Sequence, residues 1–410
     1  MSTSHDLSLV KNILADFAVS QTKSKDVWKI RMGGADVLML AEGFDRVQDS
    51  AQGFLVGFSG AIANVQETSG PYFVGQSIAK TLKVPILSFS DPTMERNPSL
   101  SLGFHAGNNK VRKLPVHMGR AINCFTERLG RPAVLFGGSG GGFAALNTLQ
   151  HCGPADRAVV WNPQTSIASY DWPAFRAYAR AAFPGIAAGF DLKNDSSAPA
   201  LEAEISKTGC VIRLDPSAKR GQVLYFQNAS DRHHMTQHMA PFCEASPVQR
   251  VEQNAVSLPA QNLHVCVGNW GKGHAPLPRD LVLHSFKGML AGRSTAQVQR
   301  EVMKKMDPDR HAPALAMVDE IRPQDVQIDT VRTPGIEVSV APQGVFTGGL
   351  QYAFYLMVEG QRVDMRWYDA KPEWFSTVVG QNMSDDVQVH VFLRDSFGRK
   401  KRFNVPMQKA

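Results

Sequence analysis

A serine flanked by glycines, between a buried strand and a helix, constrains the fold of this chain more than any other feature. The short apolar run Ala133–Phe136 is typical of a fully buried strand. The run Gly-Gly-Ser-Gly-Gly follows at residues 137–141, and then Phe143–Leu149, which favours a helix. With further strands predicted at Val84–Ser88 and Ala158–Trp161, this alternation indicates an α/β fold with a mostly parallel central sheet covered by helices.

Apolar runs and turn residues predict the other elements of the first 310 residues. Strands are expected near Trp28–Met32, Val37–Ala41, Phe54–Phe58, Val223–Phe226 and Leu263–Val267, and helices near Phe73–Leu82, Val111–Leu129 and Thr295–Met306. Gly130 is placed to end the second of these helices. The polar segment Asp91–Asn109 is predicted as a loop, and residues 165–220 as a cap or insertion.

The character of the sequence changes after about Arg322. Short β-rich segments, separated by Gly, Asp and Pro turns, occur at Glu337–Val340, Gln351–Glu359, Gln361–Tyr368, Phe375–Val379 and Val387–Arg394. This spacing predicts a small antiparallel β-sandwich. We therefore expect a catalytic domain over residues 1–310 and a β-rich accessory domain over 325–410, joined by the proline-containing linker His311–Gln324.

Ser139 is the candidate nucleophile, since it occupies the centre of a G-x-S-x-G motif at the strand-to-helix turn. Two other interpretations are open: a plain glycine-rich turn, and a dinucleotide-binding loop made of Gly140, Gly142 and Ala145. The second expects an acidic residue at the end of the next strand, where this chain has Asn162 and Pro163. A Walker loop is excluded, because the sequence has no GxxxxGK[ST].

An acid and a histidine follow the serine in the order that such a site requires. Asp231 comes just after the predicted strand at 223–226, and His274 lies in a glycine-rich loop after the strand at 263–267. In a parallel sheet these strand ends meet at one edge. The pattern predicts that Ser139 attacks an acyl carbonyl, that His274 takes its proton and that Asp231 orients the imidazole.

Neighbouring residues complete the predicted site. The oxyanion donors are expected to be the amide of Gly140 and that of Gly60 or Ala61, and substrate contacts are expected from Gly138 and His105. Other assignments compete with these. Asp91 and Asp171 are alternative acids, and His234 and His238, four residues apart, are candidate zinc ligands, although the sequence has no HExxH. We expect no metal and no cofactor.

Composition and charge argue against several classes of protein. The net charge of +7 is modest for 410 residues, and its main cluster, Arg399–Arg402, comes with no nucleic-acid-reading motif. Five widely spaced cysteines indicate reduced thiols rather than a disulfide framework. No apolar stretch predicts a membrane span, and the polar N-terminus does not resemble a signal peptide. A cytoplasmic location is expected; the oligomeric state is not predicted.

Residues of about 50 to 290 resemble the α/β-hydrolase superfamily. The resemblance rests on the motif around Ser139, on Asp231 after a late strand and on Gly273-His274 after the last strand. The elbow from Gly137 to Leu146 is also similar to that of bacterial hydrolases associated with surface polysaccharides, including the glycan O-acetyltransferase component of accessory Sec systems. The resemblance implies an eight-strand, mostly parallel sheet and no cofactor, but it does not imply a substrate. We expect an esterase-like serine hydrolase or acyltransferase with a small-molecule or glycan ester as substrate. Alternatives are a degenerate, non-catalytic hydrolase that binds a glycan or protein, and an NAD-dependent enzyme.

Overall fold

The computed structural model describes residue 13 and residues 25–45, 53–218, 221–244, 247–252, 254–306, 317–332, 335–342, 350–378 and 386–406. The chain divides into two compact units, Met1–Arg310 and His311–Ala410. Residues 311–316 of the predicted linker lie outside the described residues, as does nearly all of the segment before residue 25. Within the described ranges, no helix combines the length and apolarity that crossing a membrane requires.

The first unit is built on a ten-stranded sheet in the order β1-β2-β4-β3-β5-β6-β7-β10-β9-β8. The strands are β1 Lys25–Met32, β2 Ala35–Glu42, β3 Phe54–Phe58, β4 Ile86–Phe89, β5 Ala133–Gly138, β6 Arg157–Trp161, β7 Gln222–Asn228, β8 Gln249–Glu252, β9 Ala255–Leu258 and β10 Leu263–Gly268. The six strands from β4 to β10 run parallel, and the pairs at both ends of the sheet are antiparallel. This is the α/β-hydrolase fold, so the predicted fold class is confirmed, but the sheet has ten strands and not the eight that the resemblance implied.

Helices cover the sheet, and burial on both faces explains why the central strands are apolar along their whole length. The helices of the first unit are Gln76–Leu82, Pro92–Arg96, Leu114–Leu129, Gly140–Leu149, Trp172–Ala182, Pro184–Ala187, Ala198–Ser206, Arg232–His234, Ala240–Glu244, Arg279–Leu290 and Thr295–Lys305, with a π-helical turn at Met235–Met239 and short 3-10 turns at Asp195–Ser197 and Pro259–Gln261. Every residue of helix Gly140–Leu149 is buried. That helix contacts β5, β6 and β3 in the middle of the sheet.

Several local predictions are confirmed and others are corrected. Gly130 ends helix Leu114–Leu129 with a φ of 64°, as predicted. The predicted loop at 91–109 is wrong at its start, because Asp91 caps the short helix Pro92–Arg96 through Thr93 N. The described part of the insertion at 165–220 contains three α-helices. Helix Arg279–Leu290 and the antiparallel hairpin of β8 and β9 were not predicted.

The second unit consists of two antiparallel sheets. Its strands are β11 Val326–Arg332, β12 Ile336–Pro342, β13 Gln351–Val358, β14 Gln361–Asp369, β15 Glu373–Ser376, β16 Val387–Arg394 and β17 Lys400–Pro406, and 3-10 turns at Val318–Glu320 and Pro323–Asp325 precede them. The sheet orders are β11-β12-β15 and β14-β13-β16-β17. Alternate residues of both sheets, such as Val338 and Phe354, join one buried cluster. The unit is therefore a small sandwich, with β11 and β17 added to the strands predicted from sequence.

Candidate active site

Ser139 occupies a sharp turn between β5 and helix Gly140–Leu149. Its φ of 52° and ψ of −123° are a conformation that residues other than glycine rarely adopt. Surrounding backbone bonds hold it there: Ser139 N donates to Trp161 O at 3.1 Å, and Ser139 O accepts from Phe143 N at 3.1 Å. A Cβ on Gly141 would lie 2.3 Å from Phe58 O, so the turn requires glycine at that position.

The structure brings Asp231 and His274 into direct contact at the same edge of the sheet. Asp231 follows β7 and His274 follows β10, and these two strands are parallel neighbours. His274 Nδ1 lies 2.5 Å from Asp231 Oδ2. The Asp231 side chain is 6% exposed and that of His274 is 40% exposed. The imidazole is thus fixed at one nitrogen by a buried carboxylate while its ring remains reachable from solvent.

Two buried asparagines at strand ends hold the loop that carries His274. Asn228 Nδ2 donates to Gly271 O at 2.9 Å and to Gly273 O at 2.6 Å. Asn162 Nδ2 donates to Ala275 O at 2.8 Å, while its Oδ1 accepts from Asn228 N at 2.7 Å. The glycine-rich loop is therefore positioned by side chains of β7 and of the segment after β6. Neither asparagine was predicted as part of the site.

A second histidine, His234, contacts both oxygens of the same carboxylate, with its Nδ1 3.0 Å from Asp231 Oδ2. His234 Nδ1 lies 3.1 Å from Asp231 Oδ1, and the His234 amide donates to that oxygen at 3.2 Å. Burial alone would raise the pKa of Asp231, but the hydrogen bonds from His234 and His274 outweigh it and hold the pKa of that carboxyl well below its usual range. Asp231 is therefore an ionised acceptor at neutral pH.

His238 lies deeper in the same cluster. Its side chain is completely buried, and its Nδ1 accepts a hydrogen bond from Thr165 N at 3.3 Å. Burial and the nearby His234 and His233 lower the pKa of His238 to about 2. Since Nδ1 is an acceptor, the ring is neutral with its proton on Nε2.

The hydrogen bonds of His238 and Asp231 bear on whether this cluster could bind a zinc ion. His238 Nε2 carries the proton, so it is not available as the second ligand of a His234–His238 zinc pair. Single atoms of Asp231, His234 and His274 lie within 4.8 Å of one another. Two ligands of one tetrahedral zinc ion, with bonds near 2.0 Å, lie about 3.3 Å apart. The 2.5 Å between Asp231 Oδ2 and His274 Nδ1 is instead the distance of a hydrogen bond.

Ser139 and His274 line one cavity of about 420 Å³. Gly60, Ala61 and Gly138 line it too, and the remaining walls are formed mainly by Phe58, Val74, Ile78, Phe136, Trp161, Tyr170 and Pro276. The walls are mostly apolar, and the polar groups converge at the serine. Gly138 is required there, because a Cβ would lie 2.1 Å from Trp161 Nε1.

Gln164 makes the hydrogen bond to the serine hydroxyl. Its Nε2 donates to Ser139 Oγ at 3.0 Å, and its backbone N donates to Ser139 O at 3.2 Å. Within the part of the chain that the structure describes, no hydrogen bond joins Ser139 Oγ to His274. A hydroxyl oxygen that accepts from Gln164 still has its own proton to donate. Gln164 was not predicted, because a glutamine after an Asn-Pro turn carries no sequence signal of such a role.

The predicted oxyanion donors lie next to the serine. A Cβ on Gly60 would be 3.1 Å from Gly138 O and 3.9 Å from Ser139 Cβ, which places the 58–61 loop against the elbow. Gly140 is the first residue of the helix, so its amide has no acceptor within that helix. Gly60 and Ala61 line the cavity, and Gly140 follows the cavity-lining Ser139 directly in the chain without lining the cavity itself.

His105 does not line this cavity. Its side chain is buried, with Nε2 3.2 Å from Ser59 Oγ, and its amide donates to Asp91 Oδ2 at 2.6 Å. The expected substrate contact is therefore corrected: His105 supports the loop that contains Ser59. The alternative acids are also accounted for, because Asp91 and Asp171 each cap a helix.

Comparison with known proteins found similar solved structures at low sequence identity. No protein-family model matches the chain, and neither does any curated protein. Among solved structures, the capsule O-acetyltransferase of Neisseria meningitidis serogroup A is 11% identical, with 67% of this chain and 92% of that chain covered and a TM-score of 0.38. Acetyl xylan esterase 1 from Thermoanaerobacterium sp. JW/SL YS485 is 10% identical over 73% and 99% of the two chains, with a TM-score of 0.36.

A third solved structure, an S-formylglutathione hydrolase from Agrobacterium tumefaciens, is 12% identical over 69% of this chain and 95% of that chain, with a TM-score of 0.35. At such identities the chemistry of the site has to follow from its own residues.

Proposed function

We propose that this chain is a serine esterase or acyltransferase that forms an acyl-enzyme on Ser139. One observation carries the proposal: a serine on a strained turn shares a cavity with an imidazole that is hydrogen-bonded to a buried carboxylate. A strained elbow has a cost of order 1–3 kcal/mol, which folding tolerates where the surrounding structure fixes it. Serine, histidine and acid in this chain order match the arrangement used for acyl transfer.

In the proposed reaction, Ser139 Oγ attacks the carbonyl carbon of an ester while its proton passes to His274 Nε2. The tetrahedral intermediate collapses, and the C–O bond to the leaving alcohol breaks as His274 returns the proton to that oxygen. Water or a second alcohol then attacks the acyl-enzyme, with His274 as base. Asp231 stabilises the imidazolium in each step. The amides of Gly140 and of Gly60 or Ala61 stabilise the oxyanion.

The arrangement of serine and histidine in the resting site is compatible with this proposal. His274 Nδ1 is hydrogen-bonded to Asp231, so Nε2 is the ring nitrogen left to exchange a proton with Ser139 and the substrate. Ser139 Oγ accepts from Gln164 and keeps its proton for His274. Hydrogen bonds between nucleophile and base are often long in the free enzyme and shorten when substrate binds.

The cavity favours a short acyl group. Its volume of about 420 Å³ and its walls of Phe58, Val74 and Ile78 suit a small apolar acyl chain with part of the alcohol. The elbow's similarity to that of polysaccharide-associated hydrolases makes an O-acylated carbohydrate the proposed ester. Water and a sugar hydroxyl are competing acceptors for the same acyl-enzyme. The first unit would carry this chemistry, and the β-rich unit would be an accessory domain.

A non-catalytic protein is the second candidate, favoured by the hydrogen bond of Ser139 to Gln164 rather than to His274. A fluorophosphonate probe separates the two, with the adduct mapped by mass spectrometry. We expect labelling at Ser139, loss of labelling in Ser139→Ala and strong reduction in His274→Ala. Ser77→Ala, at an exposed helical serine, is the matched control. An unlabelled wild-type protein, or equal labelling of Ser139→Ala, would overturn the proposal.

A further inference from the structure

The outer face of the sheet β14-β13-β16-β17 carries aromatic rings and arginines outside the proposed active site. Along β13 and β16 one set of alternate residues, including Phe354 and Val391, belongs to the buried cluster of the sandwich. The other set faces outward, together with side chains of β14 and β17. We call this surface the aromatic–arginine face and define it by Tyr355, Arg362, Trp367, Phe392, Arg394 and Arg402.

The rings of this face form a continuous platform. Tyr355 and Phe392 have centroids 4.7 Å apart, and Tyr355 and Trp367 lie 6.5 Å apart with planes inclined by only 21°. Trp367 is 59% exposed, the largest exposure among the large hydrophobic residues that are exposed in the described parts of the chain. Burial in the core accounts for none of these rings. Tyr355 and Phe392 are half-buried and Trp367 is exposed, and aromatic rings that reach solvent together on one face are a feature that marks binding sites.

Each arginine lies over a ring. The guanidinium carbon of Arg362 is 4.9 Å from the centroid of Tyr355, that of Arg402 is 5.8 Å from Phe392, and that of Arg394 is 4.1 Å from Tyr368. Stacking of this kind fixes the guanidinium plane. Arg394 donates from Nε and Nη2 to Gln351 Oε1 and Arg402 donates from Nε to Asn404 Oδ1, so a ligand would meet the remaining N–H donors. Donors ordered in this way can pair with a carboxylate in a bidentate manner.

One end of the face is a groove of about 650 Å³ between Arg362 and Arg402. Tyr355 and Phe392 form its floor, and Asp386 and Gln388 add hydrogen-bonding groups. A carboxylate such as Asp386 accepts hydrogen bonds from hydroxyl groups. The groove therefore combines rings, two cations and an acceptor suited to hydroxyls.

We propose that the aromatic–arginine face binds a polysaccharide that carries carboxylate groups. The apolar faces of pyranose rings would stack on Tyr355, Phe392 and Trp367. The carboxylates would pair with Arg362, Arg394 and Arg402, and sugar hydroxyls would donate to Asp386. Single-stranded nucleic acid also stacks on rings beside arginines, but it offers fewer hydroxyl donors for Asp386 than a sugar polymer does. This inference concerns binding alone and does not depend on acyl transfer by the first unit.

The experiment measures binding of the full chain to polygalacturonate, alginate and hyaluronate by isothermal titration calorimetry, with methyl-esterified polygalacturonate and poly(U) as comparators. We expect binding to at least one uronate polymer, weakened by salt and absent for the esterified polymer. The double variant Arg362→Gln/Arg402→Gln and the variant Trp367→Ala should each bind about tenfold more weakly or worse, since each loses a main contact. Trp367→Phe should retain most of the affinity.

Matched controls lie elsewhere on the chain. Arg128→Gln/Arg180→Gln removes two exposed arginines of the first unit, and Phe375→Ala removes an exposed ring of the other sheet; both should bind as wild type. Thermal melting checks that each variant is folded. Absence of binding to all three polymers, equal binding by the face variants, or tighter binding of poly(U) at the same salt would each overturn the inference. None of these outcomes changes fluorophosphonate labelling, so failure of the proposed function is distinguished from failure of this inference.

Discussion

The imidazole rings of His234 and His274 are stacked, with centroids 4.2 Å apart and planes inclined by 29°. Each ring presents Nδ1 to Asp231: His274 contacts Oδ2, and His234 lies 3.0 Å from Oδ2 and 3.1 Å from Oδ1. An ionised carboxylate only accepts hydrogen bonds, so both histidines donate from Nδ1. His234 therefore holds the carboxylate from one side and supports one face of the His274 ring. It is a positioning residue in the proposed reaction.

Replacing His234 by phenylalanine keeps a ring for stacking but removes the Nδ1 donor. We expect kcat/KM for p-nitrophenyl acetate to fall by about ten- to 100-fold, because one charge-assisted hydrogen bond of about 1.5–3 kcal/mol is lost. His234→Asn places an amide donor at the position of Nδ1 and should stay within about threefold of wild type. Initial rates over a range of pH give both values.

The neighbouring His233 provides the control for these variants. It is exposed, and the imidazole hydrogen bonds to Asp231 described above come from His234 and His274, so His233→Asn should leave kcat/KM unchanged. A structural defect alone would lower the melting temperature of His234→Phe without changing the pH dependence of kcat/KM. If His234→Phe hydrolyses the ester as fast as wild type, His234 does not position the carboxylate.

Asp231→Asn tests the acid of the proposed triad. The amide cannot hold two donating histidines in their present tautomer, and the corresponding Asp→Asn change in chymotrypsin-like triads costs about 10⁴ in kcat. We expect a loss of about 10³–10⁴ here, measured with an activated ester. Asp171→Asn is the matched control: Asp171 accepts from Ala174 N at 2.6 Å as a helix cap, and asparagine caps equally well. Equal losses in both variants would show that the assignment of Asp231 is wrong.

The sequence was informative about Ser139, Asp231 and His274 because each follows an apolar strand directly. Parallel strands end at one edge of the sheet, so order along the chain implied proximity in space. Gln164 and His234 had no such signal, since their roles depend on the turn after β6 and on the helix after Asp231. The burial of His105 was missed for the same reason, because a loop sequence does not show what packs over it.

The sequence located some strands of the fold and missed others, as it did for the residues of the site. Strands with continuous apolar runs, such as β5 and β10, were located, whereas the short hairpin β8–β9 has too few residues to show a period. In the second unit β17 was missed, because Lys400–Pro406 is rich in basic residues and resembles a solvated tail. Exposed and half-buried residues nevertheless alternate along residues 400–405, as in a strand that has one face in solvent.

Gly141→Ala tests how the elbow is packed. The added Cβ would lie 2.3 Å from Phe58 O, a backbone atom that cannot move away without shifting the 58–61 loop. We expect a loss of about 2–3 kcal/mol in the free energy of unfolding, and a large loss of fluorophosphonate labelling. Gly185→Ala is the control, because nothing lies within 4 Å of its added Cβ and its φ is negative. Wild-type stability and labelling in Gly141→Ala would contradict the packing described.

The buried His238 predicts how stability depends on pH. Its pKa in the folded chain is about 2, held down by burial and by His234 and His233, whereas an unfolded histidine titrates near 6.5. Between these values the unfolded chain binds more protons, so the free energy of unfolding decreases as the pH falls below about 6.5. His238 alone contributes a slope of about 1.4 kcal/mol per pH unit. The pKa values of His234 and His105 are also lowered by burial and add in the same direction.

The variant His238→Asn should lack the contribution that His238 makes to the fall in the free energy of unfolding with decreasing pH. Asparagine Oδ1 can accept from Thr165 N in place of Nδ1, and it does not titrate. Urea unfolding of the full chain, followed between about pH 6 and pH 4.5, should therefore show a shallower fall in stability for the variant, by about 1.4 kcal/mol per pH unit. Asp231 does not interfere in this window, because its lowered pKa makes its own contribution disappear only below about pH 4. Parallel curves for wild type and variant would show that His238 is not kept neutral by the fold.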